Sequence, residues 1–250
     1  MPNMNDKIGG KDQLDIGMII TAPTKDKEWF KKCLVMGLLM LIPFAGALNL
    51  SGWMRTIAER RMAGGEDMNT LPDANLDYMG AGWRMFLAYL PMLGIMMLVM
   101  MVGGICAAVA TQVGGRHGGE QVAVAIVVVM YLGIIAMALA MSVVGPAITF
   151  LHIVEGEAWS SVQFKRIWDV MKRGGVQYLL LFVAMLVAGM IAQLGVFACY
   201  FGMFVSIPFA QAMGGAAIAE YARLVKPVDP SFPVEGGTGG SSGAPFGVKL

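Results

Sequence analysis

Charge is scarce in this chain: 14% of its 250 residues are charged, against 57% apolar, and the mean hydropathy is +0.66. A soluble domain normally draws on about 25% charged residues for its surface. The shortage therefore excludes an ordinary water-soluble fold. Net charge is +1, which excludes a strongly basic nucleic-acid binder, and two histidines leave little for metal or acid–base chemistry. Cys33, Cys106 and Cys199 are too few and too scattered for a disulfide framework, and none forms a CxxC pair. They read as small apolar packing residues. No phosphate-cradling glycine loop and no GxSxG nucleophile elbow occurs. A cleavable leader is not expected, because the first apolar run follows a charged stretch and carries no small-residue cleavage signature.

What is there is a set of long apolar runs. Residues 85–112, 121–151, 177–200 and 201–219 contain none of the 35 formal charges, and the last run continues as a helix to about residue 225. Each reaches the roughly 20 residues of a helical crossing. They lack the alternation of a membrane β-strand, and a helix satisfies its own backbone in lipid. The expected fold is all-α, a polytopic helical bundle with four spanning helices. A fifth run, residues 33–54, is broken at Ile42-Pro43-Phe44-Ala45-Gly46 and carries Asn49 and Ser51.

The lysines and arginines decide how to treat that fifth run. If it doubles back as a re-entrant or kinked hairpin, seventeen of the eighteen fall on one side, with only Arg116 opposite. If it crosses, the bias nearly vanishes. The positive-inside rule favours the hairpin, with both termini cytoplasmic in a multi-pass protein of the cell (inner/cytoplasmic) membrane. An ordinary proline-kinked span is the alternative. The expected organisation is a cytoplasmic arm over 1–32 and a membrane domain over 33–226, with a cytoplasmic loop at 55–84. A Pro-, Gly- and Ser-rich tail over 227–250 completes it.

Residues 157–173 differ in kind. Phe164, Ile167, Trp168 and Met171 recur at helical spacing, with basic residues around the remaining face. Such a helix lies in the headgroup layer, with Trp159, Phe164 and Trp168 as its interfacial anchors. A shorter amphipathic piece is expected over 14–20.

The order of landmarks carries a resemblance. Asp26-Lys27-Glu28-Trp29 precedes the Ile42-Pro43 break; Gly52-Trp53-Met54-Arg55 leads to Gly64-Gly65-Glu66; Leu71-Pro72 follows, then a span at Tyr89-Leu90-Pro91. With the Phe164/Trp168 helix and a final run bearing Ile207-Pro208 and Tyr221-Ala222, this layout resembles the DUF4013 family of uncharacterised prokaryotic multi-span membrane proteins, over roughly residues 13–226. The resemblance implies a membrane fold and supplies no activity or catalytic residue.

Among candidate functional residues, Ile42-Pro43-Phe44-Ala45-Gly46-Ala47 and Ile207-Pro208-Phe209-Ala210-Gln211-Ala212 echo each other. Paired proline-interrupted segments mark transporter sites in some repeat-built folds. Pro43 and Pro208 are thus candidate hinges, and Asn49, Gln211 and Glu220 candidate intramembrane polar groups. Against transport, the runs hold no charge before Glu220, whereas coupled transporters usually bury one. His152 with Glu155, lone His117, and the Met96-Met97 and Met100-Met101 pairs offer no complete metal site, and packing is the simpler account of the methionines. No catalytic, cofactor-binding or metal-binding residue is assigned. The expected function is non-enzymatic: a scaffold or subunit of a membrane assembly, with lipids and protein partners or further copies of the chain around it. The alternative is a transporter or channel for a small neutral or lipid-like solute.

Overall fold

In the computed structural model of the chain, the described residues are 14–64, 66–113, 115–154, 156, 159, 162–197 and 202–225. Expectations that fall on residues 1–13, Glu155, Glu157, Ser160-Ser161, Cys199, the His117 side chain and the tail from 226 lie outside them. Among the described residues the fold is all-helical. It comprises α1 (Ile16–Thr21), α2 (Trp29–Leu39), α3 (Ala45–Ala63), α4 (Met79–Val113), α5 (Gly115–Val154), α6 (Phe164–Gly174), α7 (Val176–Phe197) and α8 (Met203–Leu224). Three helices are long and apolar enough to cross a membrane: α4, α5 and α7.

The fourth expected span, α8, has the length but not the apolarity. Its run from Ala212 to Ala219 is buried at every position, and eight consecutive residues cover all faces of a helix at 3.6 per turn. A helix surrounded by protein need not be greasy enough to face lipid. That is why Gln211, Gly214, Gly215 and Glu220 are tolerated there.

α2 and α3 flank α8 in opposite senses. Along α2 the contacts climb as α8 descends: the Trp29 and Phe209 rings are 5.4 Å apart, and Gly37 lies against the Phe204 backbone. Along α3 both numberings rise together, from Met54 beside Gly214 to the Arg61 carbonyl accepting from Arg223. The chain therefore reverses over residues 40–44. The reversal is a γ-turn: the Ala45 N–H donates to the Pro43 carbonyl at 2.7 Å across Phe44, whose φ of 65° and ψ of −52° lie in a region that side chains disfavour.

α3 and α4 cross where both lack side chains. A Cβ on Gly82 would sit 1.7 Å from the Leu48 carbonyl oxygen, and one on Gly52 2.0 Å from that of Tyr78. Only glycine allows this backbone approach.

The loop read over 55–84 narrows to 64–78, since α3 runs to Ala63 and α4 begins at Met79. The Arg55–Glu59 pair at 2.7 Å carries the helix beyond the apolar run, as an i,i+4 pair does. Between the apolar runs 85–112 and 121–151, α5 already starts at Gly115. Residues 71–78 are pinned rather than loose. The Trp53 indole N–H donates to the Pro72 carbonyl at 3.1 Å, Asn49 Nδ2 to the Asn75 carbonyl at 2.7 Å, and the Tyr78 N–H to Asn49 Oδ1 at 3.2 Å. Asp26 adds a second anchor, accepting from the Leu71 N–H at 2.8 Å and from Lys32 Nζ at 3.0 Å. Burial alone would raise the Asp26 carboxyl, but the Glu28 N–H, Lys32 and the Leu71 N–H outweigh it and hold it below its ordinary value.

Candidate functional site

The residues singled out in the sequence separate into three places. Pro43 belongs to the reversal. Pro208 instead sits inside a continuous α8. Lacking an N–H, it leaves the Phe204 carbonyl without its helical partner, and Gly37 packs its bare Cα there: a Cβ would come 1.7 Å from that oxygen. The two echoed proline segments thus differ in backbone form but meet the same pair of helices. Asn49 is fully buried and spends its amide on residues 75–78. Glu220 is three residues from Arg223, with Oε1 and Nη1 3.4 Å apart, at the α8 end beside Arg61.

Gln211 reaches a different environment. A cavity of about 370 Å³ lies between α3, α4, α5, α7 and α8, and Gln211 lines it. Four helices each contribute one methionine: Met54, Met85, Met141 and Met185. Its polar lining is uncharged. The Tyr89 hydroxyl lies 2.6 Å from Thr149 Oγ1 and donates to the Gly145 carbonyl at 3.0 Å, so this pair is largely satisfied. Ser51 and Ser142 donate backwards to Ala47 and Leu139 within their own helices, leaving hydroxyl lone pairs free to accept. Pro146 deprives the Ser142 carbonyl of its i+4 donor. Among the described residues, the Gln211 carboxamide has no hydrogen-bond partner.

The third place is α6. The sequence stripe Phe164/Ile167/Trp168/Met171 divides in the structure. Ile167, Val170 and Gly174 are buried, whereas Phe164 and Trp168 are 73% and 56% exposed. The inner arc is set by Tyr221, which donates to the Val170 carbonyl at 2.9 Å and crowds Gly174. Trp159 is exposed too, and Lys172 Nζ lies 5.3 Å from the centre of the Trp168 ring. The helix starts at Phe164, later than the stretch read from residue 157.

Comparison with known families returns a match over residues 35–201 to the model of DUF4013, described as a protein of unknown function. That span is two-thirds of the chain. The chain belongs to the DUF4013 family. The match runs from α2 to the end of α7, shorter than the resemblance read over 13–226, and leaves α8 with Gln211 outside it. No curated protein and no solved structure matches the chain. The cavity thus combines lining residues from inside the family match with one polar group from beyond it. Residue periodicity gave no sign of the cavity, because Ser51, Ser142 and Gln211 are far apart in sequence. The nearest sequence signal was polarity at membrane depth, which pointed to Gln211 and Ser51 but also to the occupied Asn49.

Proposed function

We propose that this chain is a non-enzymatic integral membrane protein that acts as a scaffold or subunit of a membrane assembly, through α4 and α5. The observation that carries this reading is the apolar length of these helices. Their span-like stretches, Met79–Val109 and Val124–Val154, are 31 residues each, and the most apolar window of each buries no residue within the chain. At 1.5 Å per residue each extends about 46 Å, against a hydrocarbon core of about 30 Å. Tilt alone would need about 50°, beyond the usual range of up to about 40°. Part of the surplus is covered within the chain, where residues 146–153 of α5 and Met85 and Ala88 of α4 are buried, but the most apolar windows present their whole surface outward, to lipid or to a protein partner. Gly94, Gly104 and Gly133 have open space where a Cβ would stand, admitting a partner helix, and Met97 and Met101 are exposed beside them.

The chain carries its own probe in Cys106, exposed on α4. With Cys33 and Cys199 replaced by alanine, mild oxidation in native membranes is expected to give disulfide-linked or partner-linked species through Cys106. A chain that stays monomeric in membranes and in mild detergent, and retrieves no partner by cross-linking, counts decisively against the assembly.

The proposed placement is the inner (cytoplasmic) membrane, with α4, α5, α7 and α8 spanning, a re-entrant α2–α3 hairpin and both termini cytoplasmic. The short α2 supports the hairpin: 11 residues make about 16 Å, half a hydrocarbon core. An impermeant thiol reagent is expected to label single cysteines at positions 25 and 68 from the same side of the membrane. Labelling from opposite sides would restore a full crossing at 33–54. A second reading, passage of a small neutral or lipid-like solute, is favoured by the cavity beside Pro146 and Gln211.

A further inference from the structure

We infer that the cavity is a binding site for an uncharged, hydroxyl-bearing lipid of the acylglycerol or long-chain alcohol class. It shares this cavity with the solute-passage reading but needs no flux. The polar inventory sets the head group. Gln211 offers two donors and an acceptor with no partner among the described residues, while Ser51 and Ser142 offer hydroxyl lone pairs. The Gln211 side chain is half-buried and borders the cavity, so its carboxamide is open to a ligand there. A ligand hydroxyl both donates and accepts, and so answers the amide and a serine together. A charged head group has no counter-charge here, since among the described residues no Asp, Glu, Lys, Arg or His lines the cavity, and burying an unpaired charge costs far more than burying an alcohol.

The apolar lining sets the rest of the molecule. Met54 and Met85 are buried on the floor, and Met141 and Met185 are half-buried. Four unbranched thioether side chains make an adaptable bed for a flexible acyl chain rather than a shape-selective one. A volume of about 370 Å³ falls at the small end of ligand sites, enough for a head group and the first part of a chain. The remainder leaves through the mouth. Leu186, 44% exposed, is the one lining residue in the exposed class, and it belongs to the apolar span of α7. Among the described lining residues the most exposed flank is thus apolar, and a lipid tail can continue from it into the bilayer.

The test uses the full chain purified in a mild detergent, with a diazirine-bearing monoacylglycerol as the probe and the matching anionic fatty acid as the control. Saturable photolabelling of α7 around Met185 and Leu186, displaced by unlabelled monoacylglycerol but not by the fatty acid, is the expected result. Gln211→Leu is expected to raise the half-saturating concentration about tenfold, the equivalent of one lost hydrogen bond of ordinary strength, and Gln211→Asn to lie between. Should Gln211→Leu fail to fold, Leu186→Trp, at an exposed position, is expected to obstruct the mouth and reduce labelling. Unsaturable labelling spread over the lipid-facing sides of α4 and α5, equal labelling by the fatty acid, or indifference to both variants would overturn the site. Binding without flux in liposomes would reject solute passage and leave the site standing.

Discussion

Substituting leucine for Gly82 is expected to eliminate folded protein, read as loss of the monodisperse peak in detergent size-exclusion chromatography. A Cβ at Gly82 would overlap the Leu48 carbonyl, and the neighbouring Gly52 is equally crowded by Tyr78. Ordinary overpacking costs about 1–3 kcal/mol because side chains shift. Here the obstacle is backbone, so α3 and α4 must separate, and the cost should exceed that range. Gly80→Leu, on the same helix with nothing within 4 Å, is the matched control and should fold normally. Gly37→Leu should behave like Gly82→Leu, because it would push α2 off the carbonyl that Pro208 leaves open. A normal profile for Gly82→Leu would mean that the two helices do not cross there.

The second large effect is expected at Trp53. The ring is fully buried against Cys33, Met36 and Leu71, and its N–H meets the Pro72 carbonyl. Trp53→Ala removes the ring, which costs about 3–5 kcal/mol in a packed core. It also strands a carbonyl, worth about 1–3 kcal/mol. Trp53→Phe should forfeit mainly the second part. Thermal unfolding in detergent should therefore rank wild type above Phe and Phe above Ala, and limited proteolysis between residues 64 and 78 should accelerate in the same order. Identical proteolysis in all three would mean that Trp53 packs without tethering that segment.

Much of the architecture was legible because lipid imposes a one-dimensional rule. A helix facing hydrocarbon must be apolar all round, so α4, α5 and α7 stand out as uninterrupted runs. The rule weakens once a helix is sheltered. α8 read as a fourth span from its length, yet its buried centre with Gly214-Gly215 is that of a helix packed inside the protein. Periodicity located α6 but not how its apolar residues divide. It found one stripe through Phe164, Ile167, Trp168 and Met171, and the fold turned Phe164 and Trp168 outwards while burying Val170 and Gly174. At a membrane surface two apolar arcs are permitted, one for protein and one for the interface, and spacing alone does not say which is which. Asn49 and Gln211 looked alike as polar residues at membrane depth. Asn49 pins residues 75–78, whereas Gln211 faces a cavity, and the difference lies in partners more than 20 residues away.

The sequence by itself determined that the chain is helical, that its long runs suit a membrane, and that a break falls at Pro43, since hydropathy and a missing backbone N–H are local properties. Only the tertiary structure decided that α8 is the packed centre, that α2 and α3 flank it in opposite senses, and that five helices leave a methionine-lined space beside Gln211. Those outcomes depend on which backbones approach within contact of each other, and in a chain apolar on nearly every face the pattern of hydrophobic residues does not distinguish a neighbour from the lipid.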